Sequence, residues 1–180
     1  MAELVAITYG KALFEVAQDS NSVDLFREQM DFIKGLFEKE PDFYELYKSP
    51  RINKTEKKRI LREVFGVNVS DIALNFLFVL LDKKRTGSFF SICKEYIRLT
   101  NEYNNIEEGI VYSAVSLSEG QVKQMEEKLS QITGKSVRLH VMEDPSLIGG
   151  IKVKIGEKVI DASIQNKLKS LKETIDLIIV

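Results

Sequence analysis

The stretch DPSLIGGIKVKIGEKVIDAS, from Asp144 to Ser163, decides the fold of the C-terminal part of this 180-residue chain. It holds three of the ten glycines and one of the three prolines. It begins with a turn signal, Asp144-Pro145-Ser146. Apolar residues then alternate with polar ones through residues 151–156, which predicts a half-buried strand. A tight turn at Gly156, a second short strand and a helix capped by Asp161 or Ser163 complete the pattern.

The paired glycines of this stretch, Gly149 and Gly150, allow the backbone to bend or to approach another segment closely. They also suggest an alternative function, a loop that binds an anion or a nucleotide. The pair leads into a strand rather than into a helix N-terminus, which is the usual phosphate site. The chain also lacks both the G-x-x-x-x-G-K-[ST] and the G-x-G-x-x-G motifs. Backbone geometry is therefore the favoured role of these glycines.

N-terminal to this stretch, the predicted secondary structure changes at Asn104-Asn105, from helices alone to strands and helices. Alternating residues predict strands over 106–117 and 136–142. Ser118 and Gln121 form a capping box that starts a helix ending near Gly134. The sequence thus predicts a small α/β domain over 106–180, with about four short strands and two helices. The last helix carries a heptad-like apolar seam formed by Ile164, Leu168, Leu171, Ile175 and Ile178.

Residues 1–105 show no convincing strand, and their apolar spacing predicts an all-α bundle of five or six helices. The first helix, over residues 3–18, is apolar around about twice the usual sector of roughly 100°. It is either buried centrally, or packed on the core by one face and on a partner by the other. The fifth helix, IALNFLFVLLDKKR from Ile72, is also apolar almost all round and is therefore central, covered by a partner, or both.

Composition limits the possible functions. The formal net charge is −1, and residues 1–105 and 106–180 are each nearly neutral, so no field recruits nucleic acid or a membrane surface. No apolar run approaches the roughly 20 residues of a membrane span, and the N-terminus resembles neither a secretory signal nor a transit peptide. The single cysteine, Cys93, excludes an internal disulfide and fits a reducing compartment. It is expected to serve packing.

Signals for catalysis are weak. His140 is the only histidine, so no pair of histidines can ligate a metal, and no carboxylate pair is marked as acid and base. We expect neither enzymatic activity nor a cofactor. A basic cluster between Lys54 and Arg62 could bind anions, but a solvated helix face is the favoured interpretation.

Three parts of the sequence resemble the delta subunit family of F-type ATP synthases, whose mitochondrial counterpart is the oligomycin-sensitivity-conferring protein. The C-terminal signature matches from Asp144 to Ile151 and continues to Ser163. Residues 9–14, YGKALF, are similar to the opening pattern of the family, and residues 113–118 fit as well. Gly10 stands where the family often has alanine. The order of elements also fits, so the resemblance covers essentially the whole chain.

The resemblance implies a non-catalytic stator subunit of the peripheral stalk, located at the cytoplasmic face of the cell membrane through the complex. The bundle would hold the N-terminal helix of an alpha subunit, and the C-terminal domain would join the b-type stalk subunits. The connection would resist rotor torque during ATP synthesis driven by protons or sodium ions. The residues implied for alpha binding are Ala6, Tyr9, Gly10, Leu13, Asn75, Val79 and Asp82. Those implied for the stalk or the signature are Gly149, Gly150, Gly156, Ile175, Ile178, Ile179 and Val180.

The rival hypothesis is an anion- or nucleotide-binding domain that uses the glycine stretch and the basic cluster. It predicts stabilisation by phosphate or nucleotides, whereas the stator hypothesis predicts a response to an alpha peptide. A nucleic-acid-binding helical protein is disfavoured by the neutral charge of both halves.

Overall fold

The computed structural model describes the backbone of residues 2–178 and the side chains of residues 3–171. The chain divides after Thr100 into two compact units. The first is helical, and the second combines a four-stranded sheet with helices. The predicted fold class, a helical part followed by a small α/β part, is therefore confirmed.

The first unit is built from helices joined by short connections, as the apolar spacing predicts. A 3-10 turn over Thr86–Ser88 precedes the last of them, which runs past Thr100. The helices are α1 (Ala2–Asp19), α2 (Val23–Lys39), α3 (Pro41–Lys48), α4 (Lys54–Phe65), α5 (Asp71–Asp82) and α6 (Phe89–Tyr103).

Two of these helices begin at side chains of the types that favour a helix N-cap. The Asn53 carboxamide oxygen accepts a hydrogen bond from the Thr55 amide at 3.0 Å and starts α4. The Ser70 hydroxyl accepts one from the Ala73 amide at 3.3 Å and starts α5. Each cap satisfies an amide that has no partner within its own helix, and a cap contributes about 1 kcal/mol to stability.

An aromatic cluster centred on Phe37 holds four helices together. The Phe37 ring, on α2, lies 5.2 to 5.8 Å between centroids from five other rings. Edge-on and offset ring pairs at such distances add about 0.5–1.5 kcal/mol each to the burial of apolar area. The partners are Phe43, Tyr44 and Tyr47 on α3, Phe65 on α4 and Phe89 on α6.

Two buried tyrosines connect this core through their hydroxyl groups. The Tyr47 hydroxyl donates to the Leu77 carbonyl oxygen, and the Tyr96 hydroxyl donates to the Val23 carbonyl oxygen, both at 2.9 Å. Burial raises the pKa of Tyr47 well above its usual value and raises the pKa of Tyr96 to about 12. The two hydroxyls therefore stay protonated, and remain donors, in the folded unit at neutral pH.

The second unit is a sheet of order β2-β1-β3-β4 with a helix between its first two strands. β1 pairs parallel to β2, and the connecting helix α7 packs on β2. β1 also pairs antiparallel to β3, which pairs antiparallel to β4. The elements are β1 (Ile106–Ser113), α7 (Glu119–Thr133), β2 (Ser136–Glu143), β3 (Ile151–Ile155), β4 (Lys158–Asp161) and α8 (Ile164–Ile178).

The first strand is shorter than the sequence predicts, since it ends at Ser113 and not at residue 117. The Ser113 carbonyl oxygen accepts a hydrogen bond from the Asp144 amide at 2.7 Å. The chain then turns toward Ser118, whose capping box with Gln121 starts α7 as predicted. Val115 is 68% exposed in this turn. The alternating residue pattern that predicted a longer strand therefore continues into the connection between β1 and α7.

The core of the second unit lies between the sheet and α7. Val111, at the centre of β1, is fully buried, and Leu129 of α7 packs into the same cluster. Leu117 and Val122, which flank the capping box at the positions of a hydrophobic staple, are both partly buried against this cluster.

Candidate partner-binding surfaces

The residues of α1 that the resemblance implies for partner binding are largely turned into the bundle. Ala6 and Leu13 are 7% and 4% exposed and belong to the core. Gly10 is buried where α1 approaches α6, and a Cβ built on it would lie 2.9 Å from Cγ of Glu95. Tyr9 is partly buried against the same core. Ala6, Gly10 and Leu13 therefore pack inside the bundle in this structure, and their role in partner binding stays a prediction.

The apolar surface of α1 lies on other residues. Leu4 and Ile7, three positions apart and thus on one face, are 69% and 45% exposed, and Val16 is 43% exposed. In a helix whose apolar sector is about twice the usual width of roughly 100°, the pattern does not indicate which part of that sector faces the core. Sequence reasoning named residues of the inner face, whereas the exposed apolar residues of α1 include Leu4 and Ile7.

The residues predicted on α5 lie on its surface. Asn75 and Asp82 are exposed, and the Val79 side chain is 43% exposed. Ile72, three residues before Asn75, extends the same face and is 42% exposed. The helical spacing between Ile72 and Asn75 was the sequence signal that could have placed Ile72 on this face. α5 thus offers two branched apolar side chains with polar residues beside them.

Asp82 is held in place at the end of this face by two lysines of α4. Its carboxylate accepts a hydrogen bond from Nζ of Lys58 at 2.7 Å and lies 3.8 Å from Nζ of Lys54. The hydrogen bond from Lys58 is the main reason why the pKa of Asp82 lies below its usual value. A carboxylate at a helix C-terminus faces partial negative charge, and the two lysines offset that repulsion.

The basic cluster of α4 is partly neutralised by the helix itself. Arg59 forms ion pairs with Glu56 and Glu63, each with a nitrogen-to-oxygen distance of 2.6 Å. Lys58 is paired with Asp82. Exposed pairs of this kind contribute less than about 1 kcal/mol to stability. The pairing supports a solvated surface for Lys58 and Arg59, whereas Lys57 of the same helix is buried.

The glycine pair of the opening stretch lies beneath the start of α8. A Cβ on Gly149 would lie 2.6 Å from Cδ1 of Ile164. Gly150 has a φ of +82°, and its Cβ would lie 2.5 Å from the Ala162 carbonyl oxygen. The space beside both residues is thus filled by the chain, and the carbonyl oxygen there would repel an anion. The alternative of a phosphate-binding loop at Gly149-Gly150 has no support in this geometry.

The remainder of the stretch joins two strands and caps a helix. Gly156, with a φ of +54°, makes the turn between β3 and β4. The Asp161 carboxylate then accepts hydrogen bonds from the amide and the hydroxyl of Ser163, at 3.0 and 2.6 Å. The Ser163 hydroxyl in turn accepts one from the Asn166 amide at 3.2 Å. Both predicted capping residues therefore act together.

The last helix, α8, carries uncovered apolar side chains along its described length. Ile164, Leu168 and Leu171 are 44%, 58% and 60% exposed. Ile175 and Ile178 continue the same spacing within α8, but their side chains lie outside the described residues. Ile179 and Val180 also lie outside them.

The groups with possible chemical reactivity are few. Cys93 is buried, and burial raises the pKa of its thiol far above the usual value. The His140 side chain is exposed, and its Nε2 lies 3.9 Å from the Glu108 carboxylate. Among the described residues, no helix is long and apolar enough to cross a bilayer. No cluster of three or more potential ligands among the side chains of residues 3–171 could hold a metal ion.

Comparison with known proteins identifies the family. The model of the ATP synthase delta (OSCP) subunit family matches residues 5–175. The chain belongs to this family. The delta-family chain is 38% identical over 180 residues to the ATP synthase subunit delta of Alkaliphilus oremlandii, covering 100% of both proteins. It is 35% identical to the subunit delta of Clostridioides difficile, covering 99% of both.

A solved structure shares the fold. A chain of the mitochondrial ATP synthase hexamer of Toxoplasma gondii matches this delta-family chain with a TM-score of 0.66 and 18% identity. The match covers 94% of this chain and 96% of the other. At this identity the likeness concerns the fold.

Proposed function

We propose that this chain is the stator subunit that connects the catalytic head of an F-type ATP synthase to its peripheral stalk. The observation that carries the proposal is that each of the two units leaves an apolar helix face uncovered. These are α5 at Ile72 and Val79, and α8 at Leu168 and Leu171. A connector needs two such surfaces, one for each partner. Membership of the delta family supplies the identity of the complex.

The first unit, as the six-helix bundle of the family, would bind the N-terminal helix of an alpha subunit. An amphipathic helix binds in a groove through apolar anchors at helical spacing. Ile72 and Val79 on α5, with Leu4 and Ile7 on α1, offer such anchors because more than two fifths of each side chain is accessible. Asn75 and Asp82 would add polar contacts at the edge of the α5 face, while Tyr9 supports α1 from the core side.

The second unit would bind the b-type stalk subunits through α8. The seam from Ile164 repeats every three or four residues, as in helices that pack lengthwise on another helix. Ile175, Ile178, Ile179 and Val180 would extend this contact. Gly149, Gly150 and Gly156 would contribute indirectly, since they fix the strand and the turn from which α8 begins.

In this role the protein carries out no bond chemistry and holds no cofactor. It would reside at the cytoplasmic face of the membrane as a peripheral component, attached through its partner subunits. Torque from the rotor, whether driven by protons or by sodium ions, would then be resisted mechanically by two binding interfaces and the fold between them.

The head contact is tested with Val79→Asp, measured by calorimetry with a peptide of the alpha N-terminus. A charge at a buried apolar contact is expected to weaken affinity at least tenfold, or about 1.4 kcal/mol. Leu25→Asp is the matched control, because Leu25 on α2 is 49% exposed and lies outside the proposed face. Equal affinity of both variants and the parent protein would exclude α5 from the contact.

The stalk contact is tested with Leu168→Asp against purified b subunits, with Val115→Asp as the control. Both side chains are more than half exposed in the second unit. Only the α8 variant is expected to lose stalk binding, while alpha-peptide binding stays unchanged. Retention of stalk binding by Leu168→Asp would refute the assignment of α8.

A further inference from the structure

A cavity of about 300 Å³ lies in the first unit, next to the C-terminal ends of α3 and α5 and the first turn of α4. Four lysines from three segments line it, namely Lys48, Lys54, Lys57 and Lys84. None of its described lining residues carries a carboxylate. A concave site lined by charges of one sign concentrates ions of the opposite sign. The lining therefore favours an anion.

The most buried of these lysines, Lys57, is 5% exposed, and its ammonium group has no carboxylate partner among the described residues. Its Nζ donates to the carbonyl oxygen of Tyr47 at 2.8 Å and to that of Ser49. An ammonium group has three N–H donors, so one remains for an occupant of the cavity. A buried cation without a counter-ion is costly, and an anion in the cavity would supply that counter-charge.

The positive charges of the other lysines are only partly neutralised by neighbouring carboxylates. Lys48 is paired with Glu45 at 2.6 Å, but Lys54 lies 3.8 Å from its nearest carboxylate, that of Asp82. Lys84 forms no ion pair with any described residue. Four lysines thus face two carboxylates, one of which, Asp82, is hydrogen-bonded more closely to Lys58. Thr86 adds a hydroxyl to the lining.

We propose that this cavity binds a small, multiply charged oxyanion of the phosphate class, with inorganic phosphate or diphosphate as the simplest members. Such an ion accepts several charge-assisted hydrogen bonds at once, and four lysines line the cavity as possible donors. The cavity is formed by the first unit alone, so it is separate from the glycine stretch. The site is independent of the stator role and involves neither Val79 nor α8.

The test is calorimetric titration of the full chain with inorganic phosphate and with diphosphate, at ionic strength matched with chloride. Lys84→Gln removes one ammonium group from the lining and is expected to weaken binding at least fivefold. Lys83→Gln is the matched control, because the adjacent lysine changes the net charge equally but does not line the cavity. Its affinity should stay within about twofold of the parent protein.

Lys57→Met provides a second variant, expected to abolish the heat of binding if its circular dichroism spectrum remains that of the parent. If it unfolds, the comparison of Lys84→Gln with Lys83→Gln still decides the question. No binding of either oxyanion above the chloride control would overturn the proposal. An equal loss in the two glutamine variants would also overturn it, because it would indicate nonspecific attraction to the surface charge.

Discussion

Replacing Gly150 by alanine should destabilise the second unit far more than an ordinary glycine-to-alanine change. Gly150 has a φ of +82°, a conformation that costs a residue with a Cβ about 1–2 kcal/mol. The new Cβ would also lie 2.5 Å from the Ala162 carbonyl oxygen, where real contacts do not fall below 3.0 Å. The neighbour is backbone and cannot rotate away. Moving it by half an ångström adds about 1–3 kcal/mol, giving a total of about 2–5 kcal/mol.

The measurement is native-state hydrogen exchange of amides in β1 and β3, which reports on the second unit separately from the first. Gly120→Ala is the matched control. Gly120 lies in the first turn of α7, and a Cβ there would meet no atom within 4 Å. The control should be neutral or stabilising by up to about 1 kcal/mol. If Gly150→Ala lowers the free energy of opening by no more than the control does, the strain assigned to this position is refuted.

Three further predictions concern the first unit. Because Tyr47 and Tyr96 have raised pKa values, the unfolded chain loses these protons first. The stability of the folded protein should therefore fall as pH rises above 10. Phenolate absorbance, recorded during alkaline unfolding, measures this change. Complete ionisation of all six tyrosines in the folded protein near pH 10 would contradict the prediction. Because the pKa of Asp82 is lowered, its carboxylate stabilises the folded state at neutral pH. This stabilisation is lost as pH falls through the folded-state pKa, which lies below 3.8. Asp82→Asn should remove this loss of stability at acid pH, measured by urea unfolding at a series of pH values. An unchanged pH dependence would argue against the pairing of Asp82 with the lysines. Leu77→Ala, at a fully buried position, should cost about 2–5 kcal/mol by urea unfolding. Val67→Ala, at a side chain 92% exposed, should cost less than about 0.5 kcal/mol, and similar losses in both would refute the assigned core.

Features fixed by neighbouring residues could be predicted from the sequence. The caps at Asn53, Ser70 and Ser118 depend on side chains within three positions of the amides that they bind. The turn at Gly156 and the capping of α8 by Asp161 and Ser163 are local in the same sense. Such interactions are encoded by spacing along the chain, so the pattern was sufficient.

Features that depend on distant residues could not be read from the pattern. The inner face of α1 is selected by its contact with α6, where Gly10 lies against Glu95. Periodicity gave no preference within the wide apolar sector of this helix. At the end of β1, the Ser113 carbonyl oxygen accepts a hydrogen bond from the amide of Asp144, 31 positions later. The lysine-lined cavity joins Lys48 to Lys84 in the fold, and sequence reasoning treated the basic residues of α4 as one separate cluster.

The aromatic cluster around Phe37 has a mechanical consequence. Its rings come from α2, α3, α4 and α6 and interlock at centroid distances below 6 Å. Tightly packed interiors have low compressibility and transmit strain instead of absorbing it. A pull applied to one helix would therefore reach the other three before any of them bends separately. In the proposed stator role, this aromatic cluster would keep the first unit stiff under load. Elastic energy would then be stored in parts outside the first unit.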